Sequence, residues 1–160
     1  MYRHFFIPSY KQQGARSRLR RIRQRSPSDC GVCCVAMLLA VSYEEAFALC
    51  APYMNTPHHD IDFAKLPLLF KAAGCRTHLE ESKRSGWPTG NGLCEISYAQ
   101  DGQQRWHYVV WDSTRGVFID PQDYPPLRFS QHRVLVVDTG FVSLREMTEK
   151  RRLSTARGRG

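Results

Sequence analysis

The chain has 160 residues, 42% of them hydrophobic and 24% charged, and a net charge of +8; this is ordinary for one globular domain large enough to bury a core. No apolar run approaches the roughly 20 residues of a membrane-spanning helix. Residues 1–25 lack the apolar stretch of a secretory signal, so the expected location is cytoplasmic.

The charge is uneven along the chain. Residues 1–25 carry eight Lys or Arg and no acid, residues 141–160 carry six basic and two acidic residues, and residues 26–140 are left at −4. Three parts follow: a basic arm over 1–23, a domain over 24–140, and a basic tail over 141–160. Like-charge blocks repel themselves and stay solvated. Their candidate partners are nucleic acid or an acidic protein surface, without the aromatic interleaving that base stacking requires.

Within the domain, residues 29–41 are rich in Ala, Val, Leu and Cys and read as a largely buried helix, with Ser28 and Asp29 as N-cap candidates. Ser42-Tyr-Glu-Glu45 has the capping-box pattern, so a second helix is expected to about Cys50. Residues 52–57 read as loop. Asp62 can cap a third helix that reaches Ala73 and stops at Gly74, with Pro67 distorting its first turns. Strand character then dominates, over 76–80, 93–99, 106–112, 117–120 and 134–137, with a turn-rich loop over 82–92. Helices followed by strands make an α+β domain.

Six cysteines without a secretory context read as reduced thiols. Cys30 stands where the first helix begins, and the positive end of a helix dipole favours a thiolate there. A buried structural cysteine is the alternative for Cys30, and it is the expected role of Cys33 and Cys34. In the strand around His107, alternation puts His107, Val109 and Trp111 on one face. A satisfied core histidine is the alternative there. If Ser113 to Gly116 form a four-residue hairpin loop, Asp120 lies opposite Val109 and diagonal to His107 on that face. A loop of odd length would separate the two, and the same parity turns Asp112 away from His107. Asp120-Pro121 also reads simply as a strand-ending turn. Together, Cys30, His107 and Asp120 supply a nucleophile, a base and a residue that orients the base. Gln24, six residues before Cys30, is a candidate amide donor to an oxyanion, beside the Cys30 backbone N–H.

Adjacent His58 and His59, with Asp60 and Asp62, lack metal-ligand spacing. Cys30-x-x-Cys33-Cys34 has no second Cys/His pair after it. No metal or cofactor is therefore expected. His58, His59, Trp87 and Pro88 are placed in loops beside a substrate cleft.

The run Gln24…Asp29-Cys30-Gly31-Val32-Cys33-Cys34, then His107-Tyr-Val-Val110, then Asp120-Pro121, resembles the double-glycine leader peptidases, papain-like cysteine peptidases that process bacteriocin precursors. The resemblance spans about residues 22 to 122. It implies a papain-like fold, with N-terminal helices packed on a C-terminal antiparallel sheet. It also implies a Cys30–His107–Asp120 triad with Gln24 at the oxyanion hole. The expected activity is cleavage of a peptide bond in a peptide or protein substrate, with a leader-peptide or isopeptide bond as variants. The competing reading is an inactive adaptor on the same fold, holding nucleic acid or an acidic partner through its basic arms. Unlike many members of that family, the sequence shows neither a transmembrane segment nor a Gly-rich phosphate loop.

Overall fold

The computed structural model describes residues 4–6, 19–81 and 87–139. The chain enters with a short strand, β1 (His4–Phe6), and then α1 (Cys30–Leu39). Every residue of α1 after Cys30 is buried, as its uniformly apolar sequence demands. The helix stops at Ala40, which takes a left-handed conformation, φ 54°. Helix α2 (Tyr43–Cys50) starts at Ser42, where the capping box forms: the Glu45 N–H donates to Ser42 Oγ at 3.1 Å and the Ser42 N–H to Glu45 Oε2 at 2.8 Å.

Three local expectations need correction. Asp29 occupies the N-cap position of α1, but its side chain makes no capping bond. Its carboxylate is fully buried and accepts instead from the Arg25 N–H and the Tyr43 hydroxyl. Residues 52–57 are not simply loop: a 3-10 turn, Ala51–Tyr53, leads into β2 (Met54–Asn55), which pairs with β3 (Asp60–Ile61). Asp62 likewise caps nothing. Its carboxylate accepts from Asn55 and pairs with Lys65, and a 3-10 turn, Phe63–Lys65, precedes α3 (Leu66–Ala72). Pro67 lies in the first turn of α3, where a missing N–H costs no helical bond. Gly74, at φ 82°, follows the end of the helix as expected.

Five strands complete the fold: β4 (Arg76–Glu81), β5 (Gly92–Gln100), β6 (Gln103–Asp112), β7 (Val117–Ile119) and β8 (Arg128–Asp138). Among the described residues they form, with β1, one antiparallel sheet of order β1-β8-β5-β6-β7, and β4 also pairs with β8. The long β8 lies along β5 on one side, and β1 and β4 share its other side. Alternation gives the sheet two apolar faces. Leu93, Val110, Ile119, Leu135 and Val137 pack with the helices around Val32, Val35, Leu66 and Phe70. Each such large side chain contributes about 1.5–3 kcal/mol by its burial. On the opposite face, Cys94, Ile96, Val109, Trp111, Phe118 and Phe129 form a second cluster. Trp87 stacks on Trp111 there at 4.7 Å, and Trp111 Nε1 donates to the Pro88 carbonyl at 2.9 Å. Trp87 and Pro88 therefore pack at Trp111 in this second cluster, and neither is among the residues that line the cleft described below.

The basic arm also differs from expectation. His4–Phe6 pairs with β8, Leu19 is buried, and Arg21 bonds to the backbone carbonyls of Asp120, Pro121 and Gln122. The remainder of the arm, residues 82–86 of the long loop, and the tail over 141–160 lie outside the described residues. No single helix among the described residues is long and apolar enough to cross a membrane.

Candidate active site

Cys30 is the first residue of α1, and its backbone N–H therefore has no partner within the helix. All six cysteines are free thiols; Cys30 is partly exposed and the other five are buried. Burial pushes the Cys33 and Cys50 thiols up to about 12 and raises those of Cys34, Cys75 and Cys94. Gly31 faces the Tyr108 ring and Ile61, where a Cβ would make ordinary van der Waals contact at 3.4 and 3.5 Å.

The β6–β7 hairpin has the even loop that parity requires. Asp112 pairs with Val117, Trp111 with Phe118 and Val110 with Ile119, so the next step along the ladder sets Asp120 across from Val109. Asp112 is used inside the turn: Oδ1 accepts from the Thr114 and Arg115 N–H groups and Oδ2 from Arg115 Nε at 2.6 Å. β7 stops at Ile119, so among the described residues the His107 end of β6 has no strand beside it on that flank. There His107 Nε2 and Asp120 Oδ1 lie 2.8 Å apart, with both residues buried. The same Oδ1 accepts from the Gln122 N–H at 2.7 Å. The Tyr98 ring meets the imidazole edge-on at 6.3 Å.

Burial disfavours a charged His107. Hydrogen bonds to Asp120 and to Cys30, together with their charges, outweigh it and push the ring up to about 9. With Nε2 held by Asp120, Nδ1 is the nitrogen left for the Cys30 sulfur. Of the three residues singled out in the sequence, Cys30 and His107 line one cleft and Asp120 bonds to His107.

Gln24 is joined to the same region through its backbone, whose N–H donates to the Pro121 carbonyl at 3.0 Å. Its side-chain Nε2 turns to the Ser26 carbonyl, also at 3.0 Å. Its Oε1 is buried with no partner among the described residues. Gln24 is not among the residues that line the cleft around Cys30 and His107; its amide carries a second N–H that the Ser26 bond does not use.

Several contributors escaped sequence reasoning. The Tyr43 hydroxyl donates to Asp29 Oδ2 at 2.7 Å, and the Arg25 guanidinium lies over the Tyr43 ring at 4.0 Å while pairing with Glu44. The Tyr108 hydroxyl donates to the Ile61 carbonyl at 2.8 Å and ties the β2–β3 hairpin to the sheet. A tyrosine at the first position of a capped helix is the only sequence signal for Tyr43. Nothing local marks Tyr108.

Cys30, His107 and Tyr108 open into a cleft of about 490 Å³, with Asp60, Ile61 and Trp106 among its walls. His58 lies in the hairpin beside it and receives a hydrogen bond from Ser28 Oγ on its carbonyl; His59 packs edge-on against Phe47.

A helix-tip thiol beside a histidine on an antiparallel sheet, with an acid just past the end of the neighbouring strand, is the arrangement of a papain-like cysteine peptidase. The sequence model of the Peptidase C39 family matches residues 18–125, and the chain belongs to that family, the double-glycine leader peptidases it resembled in sequence. The α+β fold agrees with this membership. None of the curated proteins matches the chain.

Proposed function

We propose that the protein hydrolyses a peptide bond through Cys30, His107 and Asp120, with Gln24 as an oxyanion donor. The family supports cysteine peptidase chemistry in general. The observation that carries the specific reading is the buried His107–Asp120 pair at 2.8 Å, with His107 and Cys30 both lining one open cleft.

The deprotonated sulfur of Cys30 attacks the carbonyl carbon of a peptide lying in the cleft. Negative charge develops on the carbonyl oxygen, and the Cys30 N–H with the second Gln24 amide N–H stabilise it. Collapse breaks the C–N bond, and His107 gives its proton to the leaving amine. Water then attacks the thioester, with His107 accepting the water proton, and releases the acid and the free thiol. Asp120 holds the ring so that one nitrogen always faces the sulfur.

The test is turnover of a peptide library read by mass spectrometry. Cys30→Ala is expected to abolish product formation. Unchanged product from Cys30→Ala ends this reading; no product from the wild type with any library peptide leaves the adaptor alternative.

A further inference from the structure

We propose that Arg21, in the segment whose composition reads as a solvated basic arm, is a positioning residue for this site. Its guanidinium pins the turn that carries Asp120 and thereby sets the orienting acid and Gln24 in one register. The inference rests on the peptidase reading above.

The need for a clamp comes from the end of β7. That strand lies at the edge of the sheet and is three residues long. Beyond it, Pro121 has no N–H, and among the described residues the carbonyls of residues 120 to 122 have no strand partner. Segment 19–25 satisfies them. Arg21 Nε donates to the Asp120 carbonyl at 2.7 Å, and Nη2 reaches the carbonyls of Pro121, at 3.5 Å, and Gln122. Nη2 also lies 3.5 Å from Asp123 Oδ1. The Gln24 N–H completes the set at Pro121.

A solvated arginine behaves differently. The Arg21 side chain is 21% exposed, against 72% for Arg23 in the same segment. Leu19 is buried, and its carbonyl accepts from Arg115 Nη2 at 3.4 Å, so the segment is anchored on both sides of the clamp.

The path to the imidazole is short. Arg21 holds the Gln122 carbonyl, the Gln122 N–H holds Asp120 Oδ1, and Oδ1 holds His107 Nε2. Both donors land on Oδ1, while the buried Oδ2 has no partner among the described residues. The carboxylate is thus oriented through one oxygen, so its aim depends on the backbone that carries it and the Gln122 N–H. A planar guanidinium with several N–H groups reaches three carbonyls at once; an ammonium on a flexible stem matches its charge but not this geometry.

The test compares Arg21→Ala, Arg21→Lys, Arg20→Ala and Asp120→Asn. Three readouts serve: kcat and KM on a cleaved library peptide, the pH profile of Cys30 alkylation by iodoacetamide, and thermal unfolding. Arg21→Ala is expected to lose roughly 10- to 100-fold in kcat, with KM little changed. Its alkylation profile should move toward that of Asp120→Asn. Arg21→Lys falls between it and the wild type, and Arg20→Ala, an exposed neighbour, matches the wild type. If Arg21→Ala does not fold, Arg21→Lys carries the same expectation. Wild-type kcat and profile in the folded Arg21 variants, while Asp120→Asn loses both, overturn the clamp even if their melting temperatures drop. A wild-type profile in Asp120→Asn instead overturns the triad reading on which the clamp rests.

Discussion

Asp120→Asn keeps the shape of the partner of His107 but removes its charge. In the folded protein, burial opposes a charged ring, yet the hydrogen bonds and charges of Asp120 and Cys30 carry it from 6.5 to about 9. That rise is equivalent to about 3 kcal/mol in favour of the imidazolium. The sign follows from linkage. The folded state binds the proton more tightly than the unfolded chain, so the stabilisation is fully present below 6.5 and is lost as pH rises through about 9. In the variant, burial remains and a main opposing interaction weakens. NMR of ¹³C-labelled histidine should show the wild-type ring titrating near 9 and the variant ring roughly 1–3 pH units lower. Urea unfolding should show a stability difference that is largest near pH 6, by at most about 3 kcal/mol, and that narrows toward pH 10. A wild-type His107 that titrates near 6.5, or a titration unmoved by Asp120→Asn, refutes the electrostatic argument.

Two further substitutions test the framework around the site. Tyr43→Phe removes the hydroxyl that donates to the fully buried Asp29 carboxylate; urea unfolding should register a loss of about 1.5–3 kcal/mol, and a loss below about 0.5 kcal/mol contradicts the assigned bond. Gly92→Ala sets a Cβ 2.8 Å from the Leu135 carbonyl oxygen and 2.7 Å from Val134 Cγ1. Because the backbone oxygen belongs to the β5–β8 ladder and cannot step aside, the expected cost is about 1–3 kcal/mol, and an unchanged melting temperature rules out the tight approach.

The features legible in the sequence are those that local rules control. The capping box at Ser42 and Glu45 is one, since both partners lie within one turn. The His107–Asp120 contact is another, because hairpin parity alone decides whether two side chains share a face. The start of α1 at Cys30 came from the change to an apolar run. What stayed hidden depends on distant partners. Arg21 has the composition of a solvated arm, yet its acceptors lie 99 or more residues away in sequence. Asp29 has the residue type of an N-cap, but a tyrosine from the next helix and the Arg25 backbone compete for its carboxylate. Trp87 sits in a loop whose position left its side open, and stacking on Trp111 put it beside the second cluster. The β2–β3 pair is two residues on each strand, too short for alternation to register.

In the proposed reaction the Cys30 sulfur and the His107 imidazole act together on a carbonyl held in the cleft. The most direct measurement is mass spectrometry of the protein after treatment with a peptide carrying a thiol-reactive group, with the modified residue mapped by fragmentation. The account predicts one label, on Cys30, with the five buried cysteines untouched and labelling slowed in a His107→Ala variant. A label on another cysteine, or labelling of Cys30 at the same rate without His107, contradicts it.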